Sequence, residues 1–436
     1  MTEPPTRERP TRERPTREPL TRLPDGTIKQ VNPFNDTKVW TLPGRSSRPL
    51  EHVVPVPLAV DPDDADRICA FCPARKLETT PEVARLVRSG DGWRELRGVL
   101  AEEVDDTTAE FRLIPNLFEI LTYDYWHLTH GYVPTPESRA HREAYLATAA
   151  GRSHIARLAT IRMRGRGAVG VDPEPLSEAD LHREAVGLFA GNHQVIVARR
   201  HFVEDATLDT QLAGSGTLTP DEHDAYTGLA IRAMRDLYHD NPAARYVSVF
   251  QNWLRPGGAS FDHLHKQVVA IDELGVQIER ESARLHTEPD LYERWGPTYA
   301  AEQGLVIART PTAVAFVGIG HRFPSLEAHS LVVDRCPWEL THDEVRDFSD
   351  VLHVCHAATG VGVPSNEEWH HKPPSLDLPM PLRAVLKWRV STLAGFEGGT
   401  KIYVNTLDPW AVRDHARGRL RGLTERRQVS SRITIA

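Results

Sequence analysis

The sequence predicts an α+β fold in two similar halves, and three observations support this prediction. Short runs of β-branched and aromatic residues, as at 246–250, indicate strands, whereas apolar residues at helical spacing indicate a helix over 220–239. The same combination returns later, with strand-like runs between 305 and 333 and a helical pattern over 341–358. The polar, charged stretch at 272–299 separates the two sets, so we expect a helical connector there rather than core.

Length and charge narrow the class of protein. A chain of 436 residues exceeds the usual size of one compact core, so two domains are expected. Its 60 acidic and 52 basic residues give a formal net charge of −8, which does not favour nonspecific binding of nucleic acid. Any phosphate chemistry must therefore depend on a local site, and no nucleic-acid partner is expected.

The cysteine content and the hydropathy indicate a cytoplasmic protein. Four cysteines are too few for a disulfide scaffold in a chain of this length. No stretch approaches the roughly 20 continuous apolar residues of a membrane span, and charges occupy the N-terminal positions where a secretory signal has its apolar core. We therefore expect neither a membrane partner nor export.

Polar ends bracket the predicted domains. The pentapeptide TRERP occurs twice, from Thr6 and from Thr11, and such a sequence offers nothing to bury, so residues 1–24 are predicted to form a disordered tail. The remaining predicted divisions are a first domain at 25–275, a connector at 276–300, a second domain at 301–415 and a basic tail at 416–436.

The motif His-x-His-x-Gln is the strongest local signal for chemistry. It comprises His263, His265 and Gln267 and follows a glycine-containing turn at 257–260. Alternate residues of a strand point to the same side, so two imidazoles and an amide share one face if this segment is extended. The glycines leave room for a phosphate and leave N–H groups free to bind it. With 21 histidines in the chain, a chance pair on the surface is the alternative.

A second motif is the Cys-x-x-Cys pair formed by Cys69 and Cys72. Two thiolates at this spacing suit zinc in a tetrahedral site together with imidazoles. The same spacing suits a redox dithiol, or it joins two unrelated buried cysteines. Because the chain has no second such pair, histidines would have to complete a zinc site.

Several short motifs occur together in the order found in one known family. They are NPF at 32–34, RSSRP at 45–49, CAFCP at 69–73, TPE at 80–82, IPN at 114–116, Asn252, GGASFDHLHKQ at 257–267, AGFEGGT at 394–400 and YVN at 403–405. Over about residues 28–415 the chain resembles galactose-1-phosphate uridylyltransferases. The resemblance implies two histidine-triad-like domains, each an antiparallel sheet with helices, and a homodimer.

The resemblance also implies a reaction. In the family the second histidine of the pair is the nucleophile, which here is His265. Gln267 would donate a hydrogen bond to a phosphoryl oxygen and stabilise the charge that develops there. The implied activity moves UMP between a nucleotide sugar and a sugar 1-phosphate, by a ping-pong route through a nucleotidyl-histidine. A transferase of galactose and other carbohydrate metabolism is therefore expected, with these two compounds as its partners.

One structural zinc ion is implied in the first domain. Cys69, Cys72 and His263 match the family's ligands, and His201 ends a segment, 195–201, that resembles the strand leading to the fourth ligand. Four protein ligands leave no open position, so the expected role of the ion is structural. The histidines that compete for the place of His201 are His127, His130 and His193.

Substrate contacts are implied where the chain matches the family's nucleotide-, phosphate- and sugar-binding positions. Arginine forks suit phosphate oxygens, and amide and hydroxyl side chains add hydrogen bonds. The predicted substrate-binding residues are Arg45, Arg48, Asn116, Asn252, Ser260, Phe396 and Glu397. A solvated loop is the alternative for the two arginines, and a turn residue is the alternative for Asn252.

The chain departs from the family at a second metal site that some members carry. Glu281, His370 and His371 stand in suitable regions, but the His-x-His pair expected before residue 394 is missing. We therefore predict no second metal ion. Lys387 lies in this segment, either as a phosphate-binding residue or as a surface lysine.

Two other functions compete with the uridylyltransferase hypothesis. Relatives with the same motifs act on ADP-sugars or dinucleoside polyphosphates, as phosphorylases or adenylyltransferases, and the shared motifs do not separate these substrates. A zinc-stabilised protein that binds nucleotide sugars without turnover is the alternative of another class. The joint presence of His265 and Gln267 argues against it, since binding alone needs no nucleophile.

Overall fold

The computed structural model describes residues 18–44, 50, 56–90, 92–165 and 176–436. Its strands are β1 (Leu20–Arg22), β2 (Ile28–Val31), β3 (Lys38–Thr41), β4 (Ala84–Ser89), β5 (Gly92–Leu96), β6 (Ala109–Pro115), β7 (His193–Ala198), β8 (Tyr246–Trp253), β9 (His265–Ile271), β10 (Val306–Arg309), β11 (Ala313–Val317), β12 (Ser325–Ser330), β13 (Ser365–His370), β14 (Arg383–Trp388), β15 (Ile402–Asn405) and β16 (Thr434–Ile435). Its helices are α1 (Tyr123–His130), α2 (Pro136–Ala147), α3 (Ala149–Gly165), α4 (Glu178–Phe189), α5 (Pro220–Asp240), α6 (Val276–Leu285), α7 (Leu291–Glu293), α8 (Tyr299–Glu302), α9 (His342–Thr359), α10 (Gly395–Thr400) and α11 (Pro409–Glu425).

Twelve of the described strands form one antiparallel sheet that both halves of the chain share. Its order is β16-β10-β11-β12-β14-β13-β8-β9-β7-β6-β4-β5, so the first six strands come from the second half and the last six from the first half. The halves meet where β13 pairs with β8, with Asn366 opposite Asn252. The predicted α+β fold with two antiparallel halves is confirmed, and the two half-sheets are joined edge to edge.

One long helix from each half covers the same face of this sheet. Helix α5 packs on β7, β8 and β9, and helix α9 packs on β11 and β12. Both helices begin with a capping box, in which a threonine and a glutamate three residues later bond each other's backbone N–H groups: Thr219 with Glu222, and Thr341 with Glu344. The apolar faces of the two helices then form the central core, which includes Leu229, Met234, Val351 and Leu352.

A small sheet ties the N-terminal segment to the second half of the chain. Its order is β1-β2-β3-β15, and β15 runs parallel to β3. The Tyr299 hydroxyl donates a hydrogen bond to Glu18, and Leu20 is buried in the main core. The predicted disordered tail at 1–24 is therefore too long, because Leu20 finds apolar partners that the sequence around it does not reveal. Residues 1–17 lie outside the described part of the chain.

The predicted connector at 276–300 is packed structure rather than a link between domains. Ile278 and Leu285 of α6 are buried in a cluster with Phe34, Tyr292 and Met380. The helix looks polar in sequence because only one of its faces is apolar. This segment therefore forms part of a second apolar cluster, separate from the main core.

The predicted basic tail at 416–436 is also ordered. Ala416 and Leu420 of α11 are buried, and β16 pairs with β10 at the edge of the large sheet. The Arg432 guanidinium donates to the Asp347 carboxylate at 2.7 Å. Charged side chains cover the solvent-facing side of this segment. Its apolar side chains pack in the core, and its backbone adds the edge strand β16 to the sheet of the second half.

Helices α1 to α4 form an insertion between β6 and β7. Helices α2, α3 and α4 pack against one another around a separate apolar cluster that includes Tyr145, Ile155, Leu158 and Leu181. The insertion lengthens the chain between Asn116 and His201, but β6 and β7 remain neighbours in the sheet. Among the helices of the described residues, none is long and apolar enough to cross a membrane.

Candidate active site

Four side chains from three separate segments converge at the adjoining ends of β7 and β9. The sulfur atoms of Cys69 and Cys72 and the Nδ1 atoms of His201 and His263 all lie within 4.8 Å of one another. Cys69 is half-buried, and the other three residues are buried. The structure thus brings the four predicted ligands together in a cluster that is able to bind a metal ion.

The spacing of the four ligand atoms fits a tetrahedral site. Zinc bonds of about 2.3 Å to sulfur and about 2.0 to 2.1 Å to nitrogen require edges of about 3.8 Å between sulfurs, about 3.6 Å between sulfur and nitrogen and about 3.3 Å between nitrogens. The corresponding distances are 3.7 Å, 3.4 to 3.7 Å and 3.2 Å. All six edges therefore leave room for one small divalent ion at the centre.

Backbone interactions hold the ligands in place. The Cys72 N–H donates to the Cys69 carbonyl at 3.0 Å and closes the turn between the two thiols. His201 follows β7 and His263 precedes β9, and these strands are antiparallel neighbours. The His263 Nε2–H donates to the Ala198 carbonyl at 2.7 Å, so its Nδ1 keeps the lone pair that a metal ion requires.

His265 is the first residue of β9 and lies next to this cluster. Its Nδ1–H donates to the His263 carbonyl at 2.8 Å, which leaves the ring's lone pair on Nε2. Burial lowers the pKa of His265 to about 4, although the bond to the His263 carbonyl opposes this shift. The Phe71 ring packs against the imidazole with 5.1 Å between centroids. At neutral pH the side chain is therefore an uncharged, well-oriented imidazole.

Gln267 follows two residues later on the same face of β9, and His193 of β7 orients its amide. The backbone N–H of Ile120 lies 3.2 Å from His193 Nδ1, so the neutral ring carries its proton on Nε2. This Nε2–H donates to the Gln267 side-chain oxygen at 2.9 Å. Burial lowers the pKa of His193 to about 4 and keeps the ring neutral. Within the described part of the chain the NH₂ group of Gln267 makes no hydrogen bond, so it is available as a donor.

His193 is the functional candidate that sequence reasoning missed, since it appeared there only as a competitor for the metal site. Asn116, which follows β6, donates its backbone N–H to the His193 carbonyl at 2.7 Å. Its amide nitrogen lies 3.1 Å from His193 Nε2, but both atoms are donors when Nε2 carries the proton, so this contact is not a hydrogen bond. The structure thus groups Asn116, His193 and Gln267 as one polar set. The sequence did show a histidine on a predicted strand before the His-x-His strand. Only the register of these two strands, however, shows that His193 contacts Gln267.

Asn252 lies on β8, between β9, which carries His265, and the second half. The register pairs Phe250 with Gln267, and two residues further along it sets Asn252 level with His265. Its side-chain oxygen accepts a hydrogen bond from Asn366 at 2.7 Å. Asn252 is therefore part of a cross-strand polar row and not a turn residue.

The turn before β9 and an arginine-containing loop hold three further predicted site residues. Gly258 has a φ of +89°, a left-handed conformation that residues with a side chain rarely adopt. Ser260 is exposed in the same turn, ahead of the histidine motif. Arg45 and Arg48 lie outside the described residues, so their role stays a prediction.

Phe396 and Glu397 are not brought to this site within the chain. Both lie on the short helix α10, where Phe396 is exposed and its ring is 6.1 Å from that of Trp40. The Glu397 carboxylate accepts the N–H of Ala394 at 3.1 Å. In the part of the chain that is described, no hydrogen bond or ring contact joins them to His265 or Gln267.

Glu281, one of the residues considered for a second metal site, is engaged in a buried ion pair. The Glu281 carboxylate accepts hydrogen bonds from Arg383 and from the Tyr292 hydroxyl, both at 2.5 Å. Lys387 is not an isolated surface lysine, because its ammonium donates to the Glu368 carboxylate at 2.5 Å. Glu281 therefore serves a buried ion pair in the second half.

Solved structures share this architecture. The chain is similar to an ADP-glucose phosphorylase from Arabidopsis thaliana with bound ADP-glucose, at a TM-score of 0.55 and 16% identity, over 90% of this chain and 98% of that chain. A GalT-like protein from Arabidopsis thaliana gives a TM-score of 0.55 and 16% identity over 89% and 98%. A uridylyltransferase aligns with a TM-score of 0.44 and 18% identity over 53% and 76%. The first two confirm the two-halved fold that the resemblance implied.

Sequence comparison gives the family. The search of curated proteins finds no match. The family described as Domain of unknown function (DUF4921) matches residues 23–436, a range that contains every candidate site residue named above. The chain therefore belongs to the DUF4921 family.

Proposed function

We propose that the protein is a nucleotidyltransferase that carries a nucleoside monophosphate on His265 between two phosphate compounds. The observation that carries this proposal is the state of His265, a neutral ring whose Nδ1–H is bonded to a backbone carbonyl and whose Nε2 keeps its lone pair. The Gln267 amide lies on the same face of the strand, where it can donate to a phosphoryl oxygen. A nucleophile beside a donor for developing negative charge suits phosphoryl transfer.

The reaction consists of two displacements at one phosphorus atom. In the first, Nε2 of His265 attacks the α-phosphorus of a nucleoside diphosphate sugar; a P–N bond forms, the P–O bond to the β-phosphate breaks and the sugar 1-phosphate leaves. In the second, a phosphate oxygen of the acceptor attacks this phosphorus and the P–N bond breaks. The Nδ1 proton stays on the ring, and its hydrogen bond to the His263 carbonyl stabilises the positive charge of the intermediate.

We assign Zn²⁺ to the cluster of Cys69, Cys72, His201 and His263, with a structural role. Two sulfurs and two imidazole nitrogens at tetrahedral spacing are a ligand set that zinc prefers, and the set leaves no position for substrate. Both sulfurs also face histidine nitrogens, which favours a metal site over a redox dithiol. When bound, the ion would fix His263, and the His263 carbonyl in turn orients His265.

For the substrates, the leading proposal is transfer of UMP between UDP-glucose and a hexose 1-phosphate. A second candidate is phosphorolysis of an ADP-sugar, with inorganic phosphate as the acceptor. The likeness to the ADP-glucose phosphorylase supports this candidate because it extends over 98% of that chain. Both reactions use the same half-reactions at His265 and differ in the base and in the acceptor. We also propose that the protein is a cytoplasmic homodimer, and this part of the proposal is based on the family resemblance alone.

The test is a search for the covalent intermediate. The full chain should be incubated with a panel of UDP- and ADP-sugars in the absence of an acceptor, and intact-protein mass spectrometry should show the mass of one added nucleotidyl group. This adduct should survive base and be lost in acid, as a phosphoramidate is. Tight binding of a nucleotide sugar without any adduct would favour the binding-protein alternative.

A second prediction concerns His193, which we propose acts through Gln267. His193→Leu should lower kcat for adduct formation about tenfold, with little change in KM, because the Gln267 amide loses the hydrogen bond that orients it. In His193→Gln an amide N–H can replace the imidazole donor, so much of the rate should return. Single-turnover kinetics with the active nucleotide sugar would measure both variants.

The control for His193 is a double-mutant cycle. In a Gln267→Ala background, His193→Leu should add little further loss, since the partner through which it acts is already gone. Equal losses in the two backgrounds would mean that His193 supports the fold and not the amide. Melting temperature and metal content of each variant would identify any general loss of structure.

A further inference from the structure

A cleft of about 530 Å³ opens on the sheet where the two halves meet. Residues from both halves line it, among them Asn252 and Gly258 from the first half and Asn366, Glu368 and Arg389 from the second. It lies on the face of the sheet that carries Asn252, the residue level with His265. The cleft therefore continues the candidate site into the second half.

Arg389 is the unusual residue of this cleft. Its Nη1 donates to the Asn366 side-chain oxygen at 2.6 Å, but its Nε is buried without a hydrogen-bond partner among the described residues. In the same part of the chain, no carboxylate lies within ion-pair distance of this guanidinium. Burial, and then repulsion from Arg322, lower the pKa of Arg389, while Glu368 opposes the shift. An unsatisfied buried donor on a cation is unfavourable, so a ligand that accepts it would be stabilised.

Arg322 adds a second cation close to Arg389, although it does not line the cleft itself. It is exposed, and its guanidinium lies 5.4 Å from the Phe323 ring and 5.5 Å from the Tyr403 ring. Arg389 also lies over Phe323, at 4.8 Å. The two arginines thus approach the same aromatic ring, and within the described residues neither has an acidic partner.

The remaining charges nearby cancel each other. Lys387 is paired with Glu368 at 2.5 Å, so this pair contributes no net charge. Two positive charges therefore remain beside a cleft lined by amide side chains and by glycine. Such a site is complementary to an oxyanion, and the forked guanidinium of arginine suits a phosphate group in particular.

The distance from His265 can be read from the strand order. Asn252 is level with His265, and Asn366 is opposite Asn252, so Asn366 is two strands away from the nucleophile, or about 10 Å at the usual strand spacing. Arg389 donates to Asn366 from that position. The attacked phosphorus has to lie within about 3.5 Å of His265 Nε2, so a guanidinium at this distance is too far to contact the attacked phosphate. It is placed to bind the next phosphate, which leaves on the side of the attacked phosphorus that faces away from His265.

We propose that Arg389 and Arg322 form a subsite for the phosphate that is not attacked. Its ligand is the phosphate monoester or inorganic phosphate that leaves in the first half-reaction and attacks in the second. This inference rests on the proposed function. In this proposal, side chains of the second half bind the acceptor phosphate, and residues of the first half bind the nucleotide.

Calorimetric titration of the full chain with inorganic phosphate and with glucose 1-phosphate tests the subsite directly. Arg389→Gln should weaken binding of the preferred compound about tenfold to a hundredfold, because charge-assisted hydrogen bonds to a phosphate are lost. Arg322→Gln, at an exposed position, should weaken binding less and leave the fold intact. Arg294→Gln is the control matched to Arg322→Gln, since that exposed arginine also lies over an aromatic ring, but over Trp295 and not over the Phe323 ring that Arg322 and Arg389 share.

Two arms of this titration separate the sources of the phosphate. Tighter binding of glucose 1-phosphate identifies a sugar phosphate acceptor, and tighter binding of inorganic phosphate identifies a phosphorylase. Failure of the wild-type chain to bind either compound would overturn the subsite, as would unchanged binding by Arg389→Gln and Arg322→Gln. A failure of the subsite can be distinguished from a failure of the proposed function, because phosphate binding is measured without nucleotide and without any adduct at His265.

Discussion

Replacement of His265 by asparagine should abolish the nucleotidyl adduct and lower turnover by on the order of 10⁴-fold or more. The variant loses the Nε2 lone pair, and no other described group on this face of β9 offers a comparable nucleophile. Its amide N–H is still able to donate to the His263 carbonyl, so the local backbone should stay in place. The measurements are mass spectrometry of the adduct and steady-state kinetics with the substrate found in the panel.

Metal content separates His265 from its neighbour. In His265→Asn, plasma emission spectrometry should still find about one equivalent of zinc, because the ligand set of Cys69, Cys72, His201 and His263 is intact. His263→Ala should lose metal as well as activity, since it removes one of the four proposed ligands and disturbs the strand that positions His265. Wild-type turnover in His265→Asn would exclude nucleophilic catalysis at this residue.

Loss of the buried ion pair between Lys266 and Glu367 should strongly destabilise the fold. Both side chains are fully buried, and the Lys266 ammonium donates to the Glu367 carboxylate at 2.5 Å. His356 and Trp369 also donate to this carboxylate. Lys266→Met should lower the free energy of unfolding by about 3 to 5 kcal/mol, because it leaves a buried carboxylate without its main partner. Urea unfolding followed by fluorescence would measure the change.

The matched control is the double variant Lys266→Met/Glu367→Gln, which removes both charges. It should recover a large part of the lost stability, because no uncompensated charge remains in the core. If both variants were equally unstable, packing volume and not charge would explain the loss. Lys266 follows His265 in β9 and Glu367 lies on β13, so this pair joins the two halves directly beneath the candidate site.

The pair also predicts how stability depends on pH. Burial alone would raise the pKa of Glu367, but Lys266 and His356 outweigh it and lower the pKa to about 2. A carboxylate with a depressed folded pKa contributes stability above its unfolded pKa, near 4.3, and that stability is lost as pH falls toward 2. In Lys266→Met this contribution should disappear, so the variant should lose less stability than the wild type between about pH 4 and pH 2.

Local sequence patterns were sufficient for several parts of this protein. The helices α5 and α9 begin at Thr-x-x-Glu capping signals, and short-range hydrogen bonds of this kind depend on a few neighbouring residues. For the same reason, the Cys-x-x-Cys spacing indicated two metal ligands, and the alternation in His-x-His-x-Gln indicated three side chains on one face of a strand. His201 required the resemblance, because 62 residues separate it from His263 and spacing alone does not bring them together.

Long-range pairing decided the rest. The strand β1 and the strand β16 are too short to show a pattern, and they form because Leu20 and the C-terminal backbone meet partners far away in the chain. The roles inferred for His193 and Arg389 depend on strand register and on which charges lie nearby. The sequence by itself therefore determined the types of chemical groups and the α+β class, since these follow from local patterns. Only the tertiary structure decided which groups face each other, because hydrogen bonds and charge complementarity act over a few ångströms between residues distant in the chain.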